Sequence, residues 1–356
     1  MLKVLVVDFL FVEAHRVANI NFIEAIATSA KTTVFSANGY YKNNVEPWRK
    51  KNINVIEVGN IPVTTGKFSS RIRSLKLMYR AAQIVKSGYY DLVVCEGFEI
   101  LSFALGYKFF NNIPVALFHH KNIDELVNPI KLQAFNFYKN KVYHFVFEKF
   151  FKEYMINIIG IPKNNIMVIP HPVPNLSEKQ NDIYNDRLDC VGLCNSNSEQ
   201  FINQVKAKND ILSSHHLKLL LRSQEDSVNL SNVTIIKGYL EENIYRNYIR
   251  IAKSVLVPIP DTYVYRLSGS IYDALAQRRI VFTTSKYYGQ HYRELYPGIC
   301  IYVKNVDDFI NKLIDLDRIT NVEKSFDKFI CEHSMEQVSQ KLENTIDVIV
   351  HNVHII

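Results

Sequence analysis

The stretch YRLSGSIYDALAQRRIVFTTS, Tyr265 to Ser285, decides the fold of this 356-residue chain. Its SGSIYDALAQ portion reads as a helix, with Ser268 of a type that suits the N-cap. Arg278 and Arg279 follow at the end where the helix dipole favours cations. IVFTTS is then an apolar, β-branched run of strand length.

The same alternation extends outward on both sides. Upstream lie the strands DCVGLCNS, LKLLLRS, VTIIKG and SVLVPIP, with helices FINQVKAKNDIL and EENIYRNYIRIA between them. Downstream, ICIYV closes the set, and helices start near Val306 and Met335. An earlier series begins at KVLVVDFL and continues through TTVFSA, INVIEVG, DLVVCEG, PVALFHH, HFVFE and IMVIP. Helical stretches near Ala14–Ala30, Lys67–Lys86, Ile100–Phe110 and Lys131 separate several of these strands. Apolar strands alternating with helices predict parallel sheets covered on both faces. The chain is therefore expected to form an α/β structure of two Rossmann-like, doubly wound domains. The seam is His171 to Arg187, which is polar, contains two prolines and lacks apolar periodicity. The expected boundaries are residues 1–170, a linker 171–187, a second domain 188–335, and a final helix 336–356 that packs back on the first domain. Two such halves predict a functional cleft at the carboxyl ends of both sheets.

Composition narrows the function. The chain is 47% hydrophobic and 22% charged, an ordinary globular balance. No run approaches the roughly 18 apolar residues of a membrane span, and Asp8 interrupts the only run that resembles a signal peptide. The five cysteines are scattered, with Cys190 and Cys194 lacking a second pair at zinc-site spacing, which points to buried thiols in a reducing cytoplasm. The net charge of +7 is uneven: residues 1–170 hold 21 Lys/Arg against 12 Asp/Glu, and the remainder 21 against 23. A basic half suits an anionic surface, and with no nucleic-acid motif present the expected partner is not nucleic acid.

The ordered series VIPHPV, linker, strand, VTIIKGYL, helix, VLVPIP and SGSIYDALAQRRIVFTTS resembles the nucleotide-sugar glycosyltransferases of family 4 (glycosyl transferases group 1). The resemblance covers about the last half of the chain and implies the GT-B fold. It implies a hexosyltransferase that takes a nucleotide-diphosphate sugar, works without a metal and retains anomeric configuration. By position, Asp273 falls on the second acid of the family's Glu-x7-Glu pair, which holds the ribose hydroxyls. Ser268 and Gly269 match the turn whose N–H groups meet the diphosphate at a helix start. Gly238 and Tyr239 fall where the family's loop packs on the base. The first acid of the pair is replaced by Tyr265, the glycine after it by Arg266, and the usual phosphate cations are missing after the first donor-domain strand. Arg222 and Arg266 are the cations left to meet the diphosphate.

Glycosyl transfer develops charge on a departing diphosphate, which helix N-termini and arginines can stabilise; no Asp-x-Asp pair stands where a metal would be held. In the first half, His119 and His120 end the strand PVALF and are expected to contact acceptor or transferred sugar. Glu96 ends DLVVCEG and either deprotonates an acceptor hydroxyl or caps the next helix. Two basic stretches, Lys67 to Arg80 and Lys131 to Lys152, interleave cations with apolar residues, as a peripheral membrane surface or a solvated helix face would. The expectation is a cytoplasmic enzyme of surface polysaccharide biosynthesis at the inner face of a membrane, adding a sugar to a glycan or lipid-linked acceptor. A sugar-nucleotide epimerase and a non-catalytic partner subunit of the same fold are the alternatives.

Overall fold

A computed structural model describes residues 1–12, 15–59, 66–173, 188–194, 197–238, 240–260, 262–266 and 268–353. The chain divides into two compact units. Unit 1 comprises Met1–Pro172, Tyr265–Leu267 and Met335–Ile356; unit 2 comprises Val173–Val264 and Ser268–Ser334.

Unit 1 begins with β1 (Lys3–Asp8), α1 (Arg16–Ala27), β2 (Lys31–Ala37), α2 (Val45–Lys50), β3 (Asn54–Val58) and α3 (Lys67–Ser87). It continues with β4 (Leu92–Gly97), α4 (Ile100–Gly106), β5 (Val115–Phe118), α5 (Pro129–Asn136), β6 (Tyr143–Val146), α6 (Lys149–Asn157) and β7 (Ile166–Val168). The seven strands form one sheet in the order β3-β2-β1-β4-β5-β6-β7, parallel throughout. Their near-continuous burial, five consecutive buried residues in β1 and six in β4, is what a sheet covered on both faces requires.

Unit 2 runs β8 (Leu188–Gly192), α7 (Glu199–Lys206), α8 (Asn209–Ser214), β9 (Leu219–Ser223), β10 (Val228–Asn229), β11 (Val233–Lys237) and α9 (Glu242–Ile251). It ends with β12 (Ala252–Val257), α10 (Gly269–Ala276), β13 (Ile280–Thr283), α11 (Lys286–Leu295), β14 (Cys300–Tyr302), α12 (Val306–Ile314) and α13 (Glu323–Glu332). The sheet order is β10-β11-β9-β8-β12-β13-β14. Only the two-residue β10 is antiparallel, a departure from the all-parallel sheet expected. The single helix expected over FINQVKAKNDIL is two, α7 and α8, broken at Ala207–Lys208. The last helix, α14 (Met335–Val353), belongs to unit 1 and packs on α1.

Both sheets wind outward in two directions from their first strand, so the strand order reverses between β1 and β4 in unit 1 and between β8 and β12 in unit 2. At such a switch point the loops leaving the carboxyl ends part, which makes it the usual place for a ligand. Among the described residues no helix is long and apolar enough to cross a membrane.

Candidate functional site

In unit 1 the switch point is occupied by acids. Asp8 ends β1 and pairs in register with Gly97 at the end of β4. Its Oδ1 accepts the amides of Leu10 (2.7 Å) and Phe11 (3.0 Å), and its Oδ2 accepts from Asn19 (3.2 Å). Position 97 must be glycine, because a Cβ there would lie 2.1 Å from Asp8 Oδ1. Glu96, immediately before it, is buried, and neither carboxyl oxygen has a hydrogen-bond partner. Burial, with Asp8 beside it, pushes the Glu96 pKa well above the ordinary glutamate range. Burial therefore favours the protonated form of this carboxyl. Arg73 Nε is also buried without a hydrogen bond, and the Tyr41 side chain bonds to Asn19. Tyr41 feels the charges of Glu96 and Asp8, and Arg73 acts on Asp8. A buried polar atom left unpaired costs roughly 1–3 kcal/mol. The two Glu96 oxygens and Arg73 Nε therefore carry an uncompensated cost at the end of β4.

The two histidines after β5 take opposite directions, as successive residues of an extended chain do. His119 is fully buried, with its Nε2 2.9 Å from His144 Nδ1, while His144 Nε2 lies 2.7 Å from the Lys139 carbonyl. Burial holds His144 at a pKa of about 4 and His119 well below the ordinary value. With Phe98 and Phe135 around its ring, His119 meets only protein. His120 points the other way. Its ring bonds to the Glu96 backbone and stacks on His15 at 4.4 Å, and its Nε2 is buried without a hydrogen bond. Burial, then the neighbouring His15 and His171, lower its pKa well below that of free histidine. His120 is thus held towards its neutral imidazole form, its ring bonded to the backbone, not the carboxyl, of Glu96.

Unit 2 builds its candidate site from a helix start. Ser268 sits at the N-cap of α10 in extended conformation without a side-chain cap bond, and Gly269 opens the helix. A Cβ on Gly269 would meet nothing within 4 Å, so open space faces the first turn. Because α10 lies between two parallel strands, this positive end points to the carboxyl edge of the sheet. Asp273, one turn later, is hydrogen-bonded to Tyr245 of α9, which also bonds Ser270. Burial pushes Asp273 up to about 6, against the opposing pull of Arg246. Arg222 is buried at the end of β9, and Gly238 follows the neighbouring β11 with φ +97°, a conformation that favours glycine. Asn197 ties the ends of β8 and β9 together by donating to the carbonyls of Gly192 (3.0 Å) and Arg222 (3.1 Å). Tyr239 lies outside the described residues.

Tyr265 and Arg266 are placed in unit 1. The Tyr265 ring stacks on Tyr154 at 4.0 Å, its backbone N–H donates to Asp124 (2.6 Å), and Arg266 Nε lies 3.5 Å from the same carboxylate. Arg266 falls in unit 1, whereas Ser268, Gly269 and Asp273 fall in unit 2. The lysines of the second basic stretch are engaged within unit 1: Lys139 with the Ile159 carbonyl, Lys141 with the Tyr107 hydroxyl, Lys152 with the Ile166 carbonyl. Arg278 and Arg279, at the helix end where the dipole favours cations, pair with Glu323 and Asp327 and with the Arg250 carbonyl, respectively. Sequence reasoning missed Asp8, Asn19, Tyr41, Arg73 and His144. Only Asp8, an acid ending an otherwise apolar strand, left a local signal. Among the described residues no group of three or more His, Cys, Asp or Glu is placed to hold a metal.

Two doubly wound units, each with its polar cluster at a switch point, are matched by solved structures over nearly their whole length. A glycosyltransferase from Rickettsia africae aligns over 99% of both chains at TM-score 0.66 and 13% identity. The fold is GT-B. The Anabaena protein HepE, in complex with UDP and glucose, aligns over 98% of this chain and 100% of its own at TM-score 0.67 and 12% identity. The lipopolysaccharide outer core galactosyltransferase WaaB aligns over 98% and 99% at TM-score 0.61 and 13% identity. The sequence matches no protein-family model and no curated protein.

Proposed function

We propose that the chain is a glycosyltransferase that moves a sugar from a nucleotide-diphosphate donor to a hydroxyl of a glycan or lipid-linked acceptor in surface polysaccharide synthesis. The observation that carries this reading is the open start of α10 with Asp273 one turn on, at the carboxyl edge of unit 2 of a GT-B fold. In this reading the N–H groups at Ser268 and Gly269, with Arg222, take up the charge of the departing diphosphate without a metal. Asp273 accepts the ribose hydroxyls. Gly238 gives the base-side loop its turn. The complexes of HepE with UDP-glucose and of LpCGTa with UDP favour a uridine nucleotide.

On the acceptor side, His120 Nε2 takes the proton of the attacking hydroxyl while neutral Glu96 hydrogen-bonds it. The acceptor oxygen bonds to the anomeric carbon. The bond from that carbon to the diphosphate oxygen breaks, and its electron pair leaves with the diphosphate. Retention was expected from the family resemblance, yet Tyr265 offers no carboxylate and its ring is stacked on Tyr154. A single displacement assisted by His120, with inversion, fits the residues better.

The test is turnover of a UDP-sugar panel with and without lipid-linked and free glycan acceptors, with the product's anomeric configuration read by NMR. Acceptor-dependent release of UDP with an inverted product is expected. Epimerised sugar nucleotide formed without acceptor would favour the epimerase instead. Nucleotide binding with no turnover on any acceptor would favour a non-catalytic subunit.

A further inference from the structure

The layer of helices α3, α4 and α5 in unit 1 carries an outer surface that the catalytic reading does not use. The helices pack side by side, α3 against α4 and its following turn Tyr107–Phe110, and α4 against α5. Their outward positions hold Phe68 (75% exposed), Ile72, Tyr79, Leu105 (72%), Phe109 and Ile130 (68%). Only seventeen large apolar side chains are exposed among the described residues, and these six sit on three adjacent helices and the turn after α4. Tyr79 and Phe109 meet edge to face at 5.8 Å, which joins the α3 surface to the turn after α4.

The charge on the same layer has one sign. Helix α3 contains six Lys/Arg and no Asp/Glu, and the segment from Ile100 to Phe110 adds Lys108 and no acid. Lys76, Arg80, Lys86 and Lys108 are exposed. A helix that only covered a sheet would show a polar outer face with charges of both signs. Here the outer face is aromatic, aliphatic and cationic, so its complement is a surface that is apolar beneath and anionic at its boundary.

We infer that the α3–α4–α5 face of unit 1 lies on an anionic phospholipid bilayer, with Phe68, Leu105 and Ile130 entering the acyl boundary and Lys76, Arg80 and Lys108 on the headgroups. Nucleic acid would answer the cations, but a phosphate backbone gains nothing from exposed Leu105 or Ile130. A bilayer uses both. Lys139, Lys141 and Lys152 of the second basic stretch have no part in this, since they are bonded within unit 1. The inference deepens the lipid-linked acceptor reading and rests on it for its purpose, but vesicle binding is measured without donor or acceptor.

The test is flotation of the full chain with vesicles of phosphatidylcholine alone and with phosphatidylglycerol added. Binding to the anionic vesicles is expected, weakened roughly tenfold or more both by Phe68→Ser with Leu105→Ser and by Lys76→Glu with Arg80→Glu, and reduced by salt. Tyr287→Ser, which removes an exposed apolar residue of unit 2, should leave binding unchanged. All variants should keep the parent's melting temperature and its shift with UDP, which separates failure of this surface from failure of the transferase reading. The inference is overturned if the apolar variants float as the parent does. It is also overturned if no vesicle binds, if light scattering shows a dimer that the same substitutions dissociate, or if the chain prefers RNA or DNA to anionic lipid.

Discussion

The two units share a doubly wound core with its switch point beside the first strand and place polar groups there, yet they prepare that point by opposite means. Unit 1 encloses titratable groups: burial pushes the Glu96 pKa up and the His120 pKa down, and Asp8 is fixed by backbone amides. Unit 2 uses a helix start and a single acid, Asp273, bonded to a tyrosine and held near a pKa of 6. A site that must move a proton needs groups whose protonation is set by their surroundings. A site that must hold an anion and two hydroxyls needs dipoles and an acceptor. Under the proposed function, proton transfer falls to unit 1 and donor binding to unit 2, and this contrast can be broken one residue at a time.

The largest effect should come from His120→Gln, which keeps a polar side chain and removes the base. Transfer should fall by about 10²- to 10⁴-fold, while the thermal shift produced by UDP stays at the parent value. Loss of both together would mean that the residue supports the fold rather than the chemistry.

Glu96→Gln should separate activity from stability. The folded pKa of Glu96 is raised, so its protonated form stabilises the fold fully below the unfolded value, and that stability is lost as pH rises towards the folded pKa. Relative to the glutamine variant, the parent should lose about 1.4 kcal/mol per pH unit over that window. Denaturant melts between pH 4 and pH 8 give this difference directly. The variant should therefore be the more stable protein at neutral pH and the poorer enzyme. Equal pH profiles would remove Glu96 from the proton-transfer group.

Gly97→Ala tests the support beneath the acids. A Cβ 2.1 Å from Asp8 Oδ1 forces the carboxylate off its amide donors. A loss of about 1–3 kcal/mol in chemical denaturation is expected, with reduced transfer and unchanged nucleotide binding.

How much of this was legible in the sequence follows from where each signal resides. The parallel strands were readable because a strand buried on both faces is an apolar run, and VLVV or LVVC needs no context. Helix α11 was not, because Gly289 interrupts its pattern. The structure supplies the reason for that glycine: a Cβ would lie 2.5 Å from Tyr302 Cβ on β14. The start of α10 and Asp273 could be read locally, since both lie within one helix. The surroundings of Glu96 could not. Asn19, Tyr41 and Arg73 reach the end of β4 only through pairing of distant segments. The sequence His119-His120 likewise does not say which ring enters the core, because alternation along a strand fixes the relation between them but not the direction.

Smaller but most direct is the behaviour of Asp273. Its carboxylate form is present above a pKa of about 6, so affinity for a uridine nucleotide should weaken as pH falls through that value. Asp273→Asn should lower the affinity by roughly tenfold, the loss of a charge-assisted hydrogen-bond pair, and abolish its pH dependence near 6. Isothermal titration of UDP into the parent and into this variant, at pH 5.5 and pH 7.5, measures both effects. We expect tight binding only for the parent at the higher pH. Equal UDP affinity in parent and variant at both pH values would contradict the assignment of donor binding to the α10 end of unit 2.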